Sequence, residues 1–160
     1  MTKKENKVVE GRKLRRFGMS TDGKIHIEWL FHNDLANCDD ERTLSSVEEP
    51  VNILKDAWIA LAPIACEMAE LPENWKLIQR GLTVSYKKDK RMFTLNVIRL
   101  LEKDDKVLNI TTPCKLQSEV EEFGCMKKAH IEVIDTFIEQ VWKYLDGHRV
   151  QPELPGIKEE

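Results

Sequence analysis

The stretch LIQRGLTVSYKKDKRMFTLNVIRLLEKDDKVLNITT, residues 77–112, decides the fold. It is dense in β-branched, aromatic and aliphatic side chains. Two charged triplets interrupt it, Lys88-Asp89-Lys90 and Lys103-Asp104-Asp105. Short apolar runs bounded by polar turns read as strands, so the stretch predicts three of them, about Leu77–Lys87, Arg91–Glu102 and Lys106–Thr112. In the middle one Phe93, Leu95, Val97 and Leu101 share one face, and Met92, Ile98 and Leu100 the other. Apolar residues on both faces mark a central strand, or a strand with one face turned to a partner.

Upstream, Lys24 to His32 alternates, with Ile25, Ile27, Trp29 and Phe31 opposite His26, Glu28, Leu30 and His32. That period of two describes a half-buried strand. Ser20-Thr21-Asp22-Gly23 precedes it, and Asp-Gly supplies the positive φ angles of a tight hairpin, so a partner strand is expected within Lys7 to Phe17. Residues 33–48 are acidic and without pattern, and are read as an exposed connection.

Two helices complete the pattern. The first is expected near Pro50, with Ser46 and Glu49 at capping-box spacing and a stripe of Leu54, Trp58, Leu61, Ala65 and Met68. Pro63 should kink it, and Leu71-Pro72 should end it. The second has Ser118 and Glu121 as a capping box and a stripe of Met126, Ile134, Phe137, Ile138, Val141, Trp142 and Leu145. Gly124 is expected to split off a short leading turn, and Gly147 to stop the helix. The resulting order is ββαβββα. We expect a single α+β domain over residues 1–147, in which residues 1–6 are disordered. Its sheet should be five-stranded and mainly antiparallel, with two helices packed on one face. Residues 148–160 are expected to form a flexible tail.

The chain has 160 residues with a net charge of −3, which hides a segregated distribution. Residues 1–16 carry seven basic and two acidic side chains, a net of +5, so the remainder sums to −8. A second basic region, from Arg80 to Lys106, has eight basic and four acidic residues. A local basic patch serves nucleic-acid binding even when total charge is negative. The candidate contacts are Arg12, Lys13, Arg15, Arg16, Lys87, Lys88, Lys90 and Arg91, with Phe17 and Tyr86 as adjacent rings of the kind on which single strands stack. No helix-turn-helix, zinc finger or RRM signature accompanies them.

Metal and catalytic motifs are not found. No Cys-x2-Cys or His-x3-His pair occurs, and Cys114, Cys125 and His130 lack zinc-site spacing. There is no nucleophile elbow, phosphate-binding glycine loop or dinucleotide fingerprint. No catalytic residue, metal ligand or cofactor is therefore assigned. Four cysteines without a leader segment point to free thiols in a reducing compartment, the cytoplasm. The longest apolar run, Ala57 to Cys66, contains a proline and is too short to cross a bilayer, so no membrane partner is expected.

The chain resembles a loose group of small, mostly uncharacterised phage and prophage proteins found near recombination and replication genes. Five segments carry the resemblance: Asp22-Gly23-Lys24, Leu61-Ala62-Pro63, Gly81-Leu82-Thr83-Val84-Ser85, Leu108-Asn109-Ile110-Thr111-Thr112-Pro113 and Tyr144-Leu145-Asp146-Gly147-His148-Arg149. Together they span most of residues 20–150. In that group the tail can end like a clamp-binding peptide. Here Gln151-Pro152-Glu153-Leu154-Pro155 lacks the terminal aromatic and is read as a solvated tail. The group implies no established activity; the expected function is a non-enzymatic phage or prophage accessory or binding protein in the bacterial host cytoplasm, acting through protein contacts in DNA metabolism or host-defence interference. A nucleic-acid-binding module using residues 3–16 and 87–91 is the alternative, and an enzyme of unrecognised type the second. Self-association as a homodimer or higher oligomer is also expected. Leu30, Met92, Ile98 and Leu100 would form an apolar patch on the sheet face that two helices leave uncovered.

Overall fold

Local hairpins build most of this structure, a computed structural model that describes residues 11–87, 90–101, 103, 106–117 and 125–150. The elements are β1 (Arg12–Met19), β2 (Ile25–Asn33), β3 (Cys38–Ser46), α1 (Asn52–Ile59), α2 (Leu61–Met68), β4 (Leu77–Lys87), β5 (Lys90–Leu100), β6 (Val107–Thr111), β7 (Lys115–Leu116) and α3 (Lys128–Leu145). The class is α+β. The sheet has seven strands rather than five, ordered β3-β2-β1-β4-β5-β6, with β7 beside β5. Every strand pair is antiparallel. None of the described helices is long and apolar enough to cross a membrane.

The sheet is two three-stranded meanders, β1–β3 and β4–β6, sewn together by only three residue pairs: Arg16 with Thr83, Phe17 with Leu82, and Gly18 with Gly81. All three helices cover the face that carries Phe17, Leu82, Phe93 and Leu95, each fully buried. At its centre the ring of Phe17 lies 4.9 Å from both Trp58 of α1 and Phe137 of α3, edge-on to each. Such ring pairs add about 0.5–1.5 kcal/mol beyond their burial.

Three local expectations need correction. Residues 38–46 form β3, paired with β2 along its whole length, where an exposed connection was expected. Its side chains are held by polar cross-strand partners and not by a buried face: His32 Nδ1 is 2.9 Å from Asp39, and Arg42 lies over the Phe31 ring at 5.2 Å. The first helix does not kink at Pro63. It breaks at Ala60 and restarts at Leu61. Pro63 then falls in the first turn of α2, where a missing N–H removes no helical bond. Ser46 is no helix cap either. It ends β3, and its Oγ lies 2.9 Å from the hydroxyl of Tyr144, while α1 starts at Asn52 without a side-chain cap.

The second helix runs to Leu145, where backbone bonds from Gly147 and His148 back to Tyr144 and Lys143 close it. His148 to Val150, expected as the start of the tail, are fastened: Val150 N–H donates to the Glu49 carbonyl at 2.9 Å, and Arg149 ion-pairs with Glu48. The Ser118–Glu121 capping box, Gly124, residues 1–6 and the clamp-like segment 151–155 lie outside the described residues.

The expected apolar patch does not form. Ile98 is buried at 4% exposure, paired with Ile78. Met92 is half-buried and pairs with Leu116 of β7. Leu30 sits on β2 opposite Lys13, with β1 and β4 between it and Met92. Leu100 is exposed at the far end of β5. Polar side chains, Arg16, Glu28, Thr83, Ser85 and Thr94, occupy the middle of that face.

Candidate functional site

Two β-bulges shape the open face. In β1, register shifts between Leu14 and Arg16, so that Arg15 is an extra residue. A bulge re-aims the side chains around it. Here it lets Leu14 and Phe17 both enter the core, leaving Arg15 and Arg16 exposed in succession. In β4 the same device at Arg80 lets Gln79 and Leu82 face inward.

Beyond the pair Arg16–Thr83, β1 and β4 diverge. The opening between them is a cleft of about 350 Å³ lined by Arg15, Arg16, Glu28, Leu30, Thr83 and Ser85, with Val84 and Tyr86 at its back. The Tyr86 hydroxyl crosses the gap and donates to the carbonyl of Leu14 at 2.7 Å. Burial pushes the phenol up to about 12, with the Arg91 charge opposing and the Asp135 charge adding to the rise, so it remains a neutral donor at ordinary pH. The Lys13 ammonium lies 5.4 Å above its ring.

The fold thus brings the two basic segments to one end of the sheet, but it divides their residues into two groups. Lys13, Arg15, Arg16, Lys87 and Lys90 are exposed around the cleft and the β4–β5 hairpin. Lys87 and Lys90 are directly opposite one another, a like-charge pairing that costs stability in isolation and is relieved by an anion. Arg12 and Arg91 turn instead to the helix side. Arg12 grips Asp146 through both terminal nitrogens at 3.0 and 3.2 Å and lies over Trp142. Arg91 holds Asp135 at 2.6 and 3.2 Å and Gln117 at 2.8 Å. These two arginines fasten β1 and β5 to α3 and are not available to a ligand on the open face. Lys88 lies outside the described residues.

Arg15 and Arg16 also have acidic neighbours, Glu41 and, at 3.5 Å, Glu28. Both pairs are solvent-exposed, a setting in which ion pairs contribute about 0–1 kcal/mol and exchange readily for a better anion. Chemically the cleft offers guanidinium groups, two hydroxyls and the edges of diverging strands, a set suited to phosphate oxygens. The sequence did not mark Thr83, Ser85 or Glu28. Their signal was the polar phase of the β4 and β2 alternation, legible once β1 is known to lie between those strands.

A second groove, near 400 Å³, gathers Cys114, Cys125 and His130 with Glu67. His130 Nε2 is 3.0 Å from Glu67, which also pairs with Lys127. Among the described residues no three His, Cys, Asp or Glu side chains converge as a metal ion requires.

No family model, curated protein or solved structure matches the chain.

Proposed function

We propose that this protein is a non-enzymatic accessory module that binds the phosphate backbone of a single-stranded nucleic acid in the cleft between β1 and β4. The observation that carries the reading is the cleft on the helix-free face, lined by Arg15 and Arg16, with Lys13, Lys87 and Lys90 exposed at the same end of the sheet. Phosphate contacts of this kind supply affinity without sequence preference. The resemblance to phage and prophage proteins near replication and recombination genes sets this activity in DNA metabolism within a bacterial host. Action through protein contacts alone, including interference with host defence, is the competing reading, and it predicts no nucleic-acid affinity.

Fluorescence anisotropy with a labelled oligothymidylate tests this. With about four phosphates neutralised on a single strand, affinity should fall roughly 50-fold between 50 and 200 mM salt. Arg15→Gln with Arg16→Gln should weaken binding and lower the salt slope by about 1.4. No binding to single- or double-stranded DNA or RNA at 50 mM salt overturns the proposal, as does binding unchanged by the double substitution.

A further inference from the structure

We infer that two copies of this chain join edge to edge through β6, forming one continuous sheet across a two-fold axis at Asn109. The inference is independent of the cleft.

The sheet's two edges are chemically opposite. At one, β3 reads Cys-Asp-Asp-Glu-Arg-Thr-Leu-Ser-Ser, with four successive charges at 39–42. Charges along an edge repel a second strand, a common protection against edge-to-edge pairing. At the other, β6 reads Val-Leu-Asn-Ile-Thr and carries no charge. Among the described residues β6 is paired on one side only, with β5.

The hydrogen-bond phase of β6 shows which backbone groups face outward. Thr112 N–H donates to the Leu95 carbonyl and Leu101 N–H to the Lys106 carbonyl, so residues 106 and 112 point their backbone groups toward β5. In an antiparallel ladder this property alternates. Leu108 and Ile110 therefore also bond inward, while Val107, Asn109 and Thr111 present N–H and C=O to the outside.

Those three residues are spaced for pairing with themselves. A two-fold axis at Asn109 sets Asn109 against its counterpart and Val107 against Thr111. Every outward donor then meets an outward acceptor, six bonds in all across the three pairs. On the helix side Leu108 meets Ile110, apolar against apolar. No other centre within β6 uses all three outward residues.

The surroundings favour a second copy as the occupant. Val107 and Leu108 are 43% and 42% exposed, and Leu100 and Leu101, at the end of β5, are 59% and 38%. An isologous contact covers Val107 and Leu108 of both subunits, while Leu100 and Leu101 lie one strand further in and flank it. Where this strand meets itself, no like charges face one another.

Asn109 meets itself on the axis, which allows a charge-swap test by light scattering at about 100 µM. The unaltered chain should run at twice its 18.6 kDa mass. Asn109→Lys and Asn109→Asp should each run as monomers, since like charges then face one another. Mixing the two variants should restore the dimer. Their folds are checked by circular dichroism. Hydrogen exchange on the unaltered chain gives a second readout, in which the amides of Val107, Asn109 and Thr111 gain protection as concentration rises. A monomer at 100 µM, dimers that persist in either variant alone, a mixture that stays monomeric, or protection independent of concentration each overturns the inference.

Discussion

The hydroxyl of Tyr86 and the carbonyl of Leu14 are joined at 2.7 Å across the gap where β1 and β4 have stopped pairing. Leu14 is the last residue before the Arg15 bulge, and its carbonyl has lost the strand partner a regular ladder would supply. One phenol therefore holds open the cleft that displays Arg15 and Arg16.

Tyr86→Phe should cost about 1–2 kcal/mol in urea unfolding, because it leaves a sheltered carbonyl unsatisfied. The same residue sets an alkaline limit. Its pKa is about 12 in the folded protein against an ordinary 10.0. A raised acid contributes stability that is intact below the unfolded value and lost as pH rises through the folded one. Stability should thus decline between pH 10 and 12, and Tyr86→Phe should flatten that decline. Absorbance titration should show a tyrosine ionising near 12.

Phe17→Ala should be far more damaging, near 3–5 kcal/mol, since it empties the junction of β1, α1 and α3 where three rings meet. Chemical denaturation measures this directly, with an unchanged m-value expected if the native state keeps its compactness.

Gly81 and Asn96 form a tight pair on the open face. A Cβ at position 81 would come within 3.1 Å of Asn96 Nδ2. Asn96 Oδ1 is buried and has no hydrogen-bond partner among the described residues. Gly81→Ala should destabilise the protein, and less so in an Asn96→Ala background. The double-mutant cycle should give a coupling of about 0.5–1 kcal/mol.

Glu67 ties α2 to the start of α3. Its carboxylate is held below the usual range, first by the hydrogen bond from Lys127, with burial opposing and the charge of His130 assisting. A depressed carboxylate contributes stability that is present above its unfolded value of 4.5 and lost as pH falls through the folded one. Glu67→Gln should lower stability near neutrality and leave a shallower acid limb in thermal unfolding measured from pH 6 to 3.

The strand at 25–33 was legible because burial on one face writes itself as period two, and those in 77–112 because their apolar runs end at charged turns. Leu77–Lys87 is recovered to the residue. β3 was not, because only Leu44 among its nine residues packs against the core, and its register comes from polar pairs that no periodicity records. The break at Ala60 was misplaced to Pro63 for a different reason. A proline signals a missing bond, but the chain relocated the helix start so that the bond was never needed. The cationic residues show a third kind of limit. Arg12 and Arg91 look like Arg15 and Arg16 in sequence, yet their acidic partners lie 134 and 44 residues away. Only tertiary structure distinguishes a clamp from an available charge.

The three-pair seam between the meanders has a kinetic consequence. Within each meander, neighbouring strands close over short turns, while the seam joins residues 16–18 to 81–83, roughly 65 positions apart. Closing so distant a contact costs entropy before packing rewards it. The two meanders can form early and independently, and the slow event is their union, when Phe17 finds Leu82 and the rings of Trp58 and Phe137 close over it. Changes at the β2–β3 and β4–β5 turns, formed before that step, should therefore slow folding, whereas substitutions at the seam should divide between slower folding and faster unfolding as far as the seam is formed in the transition state.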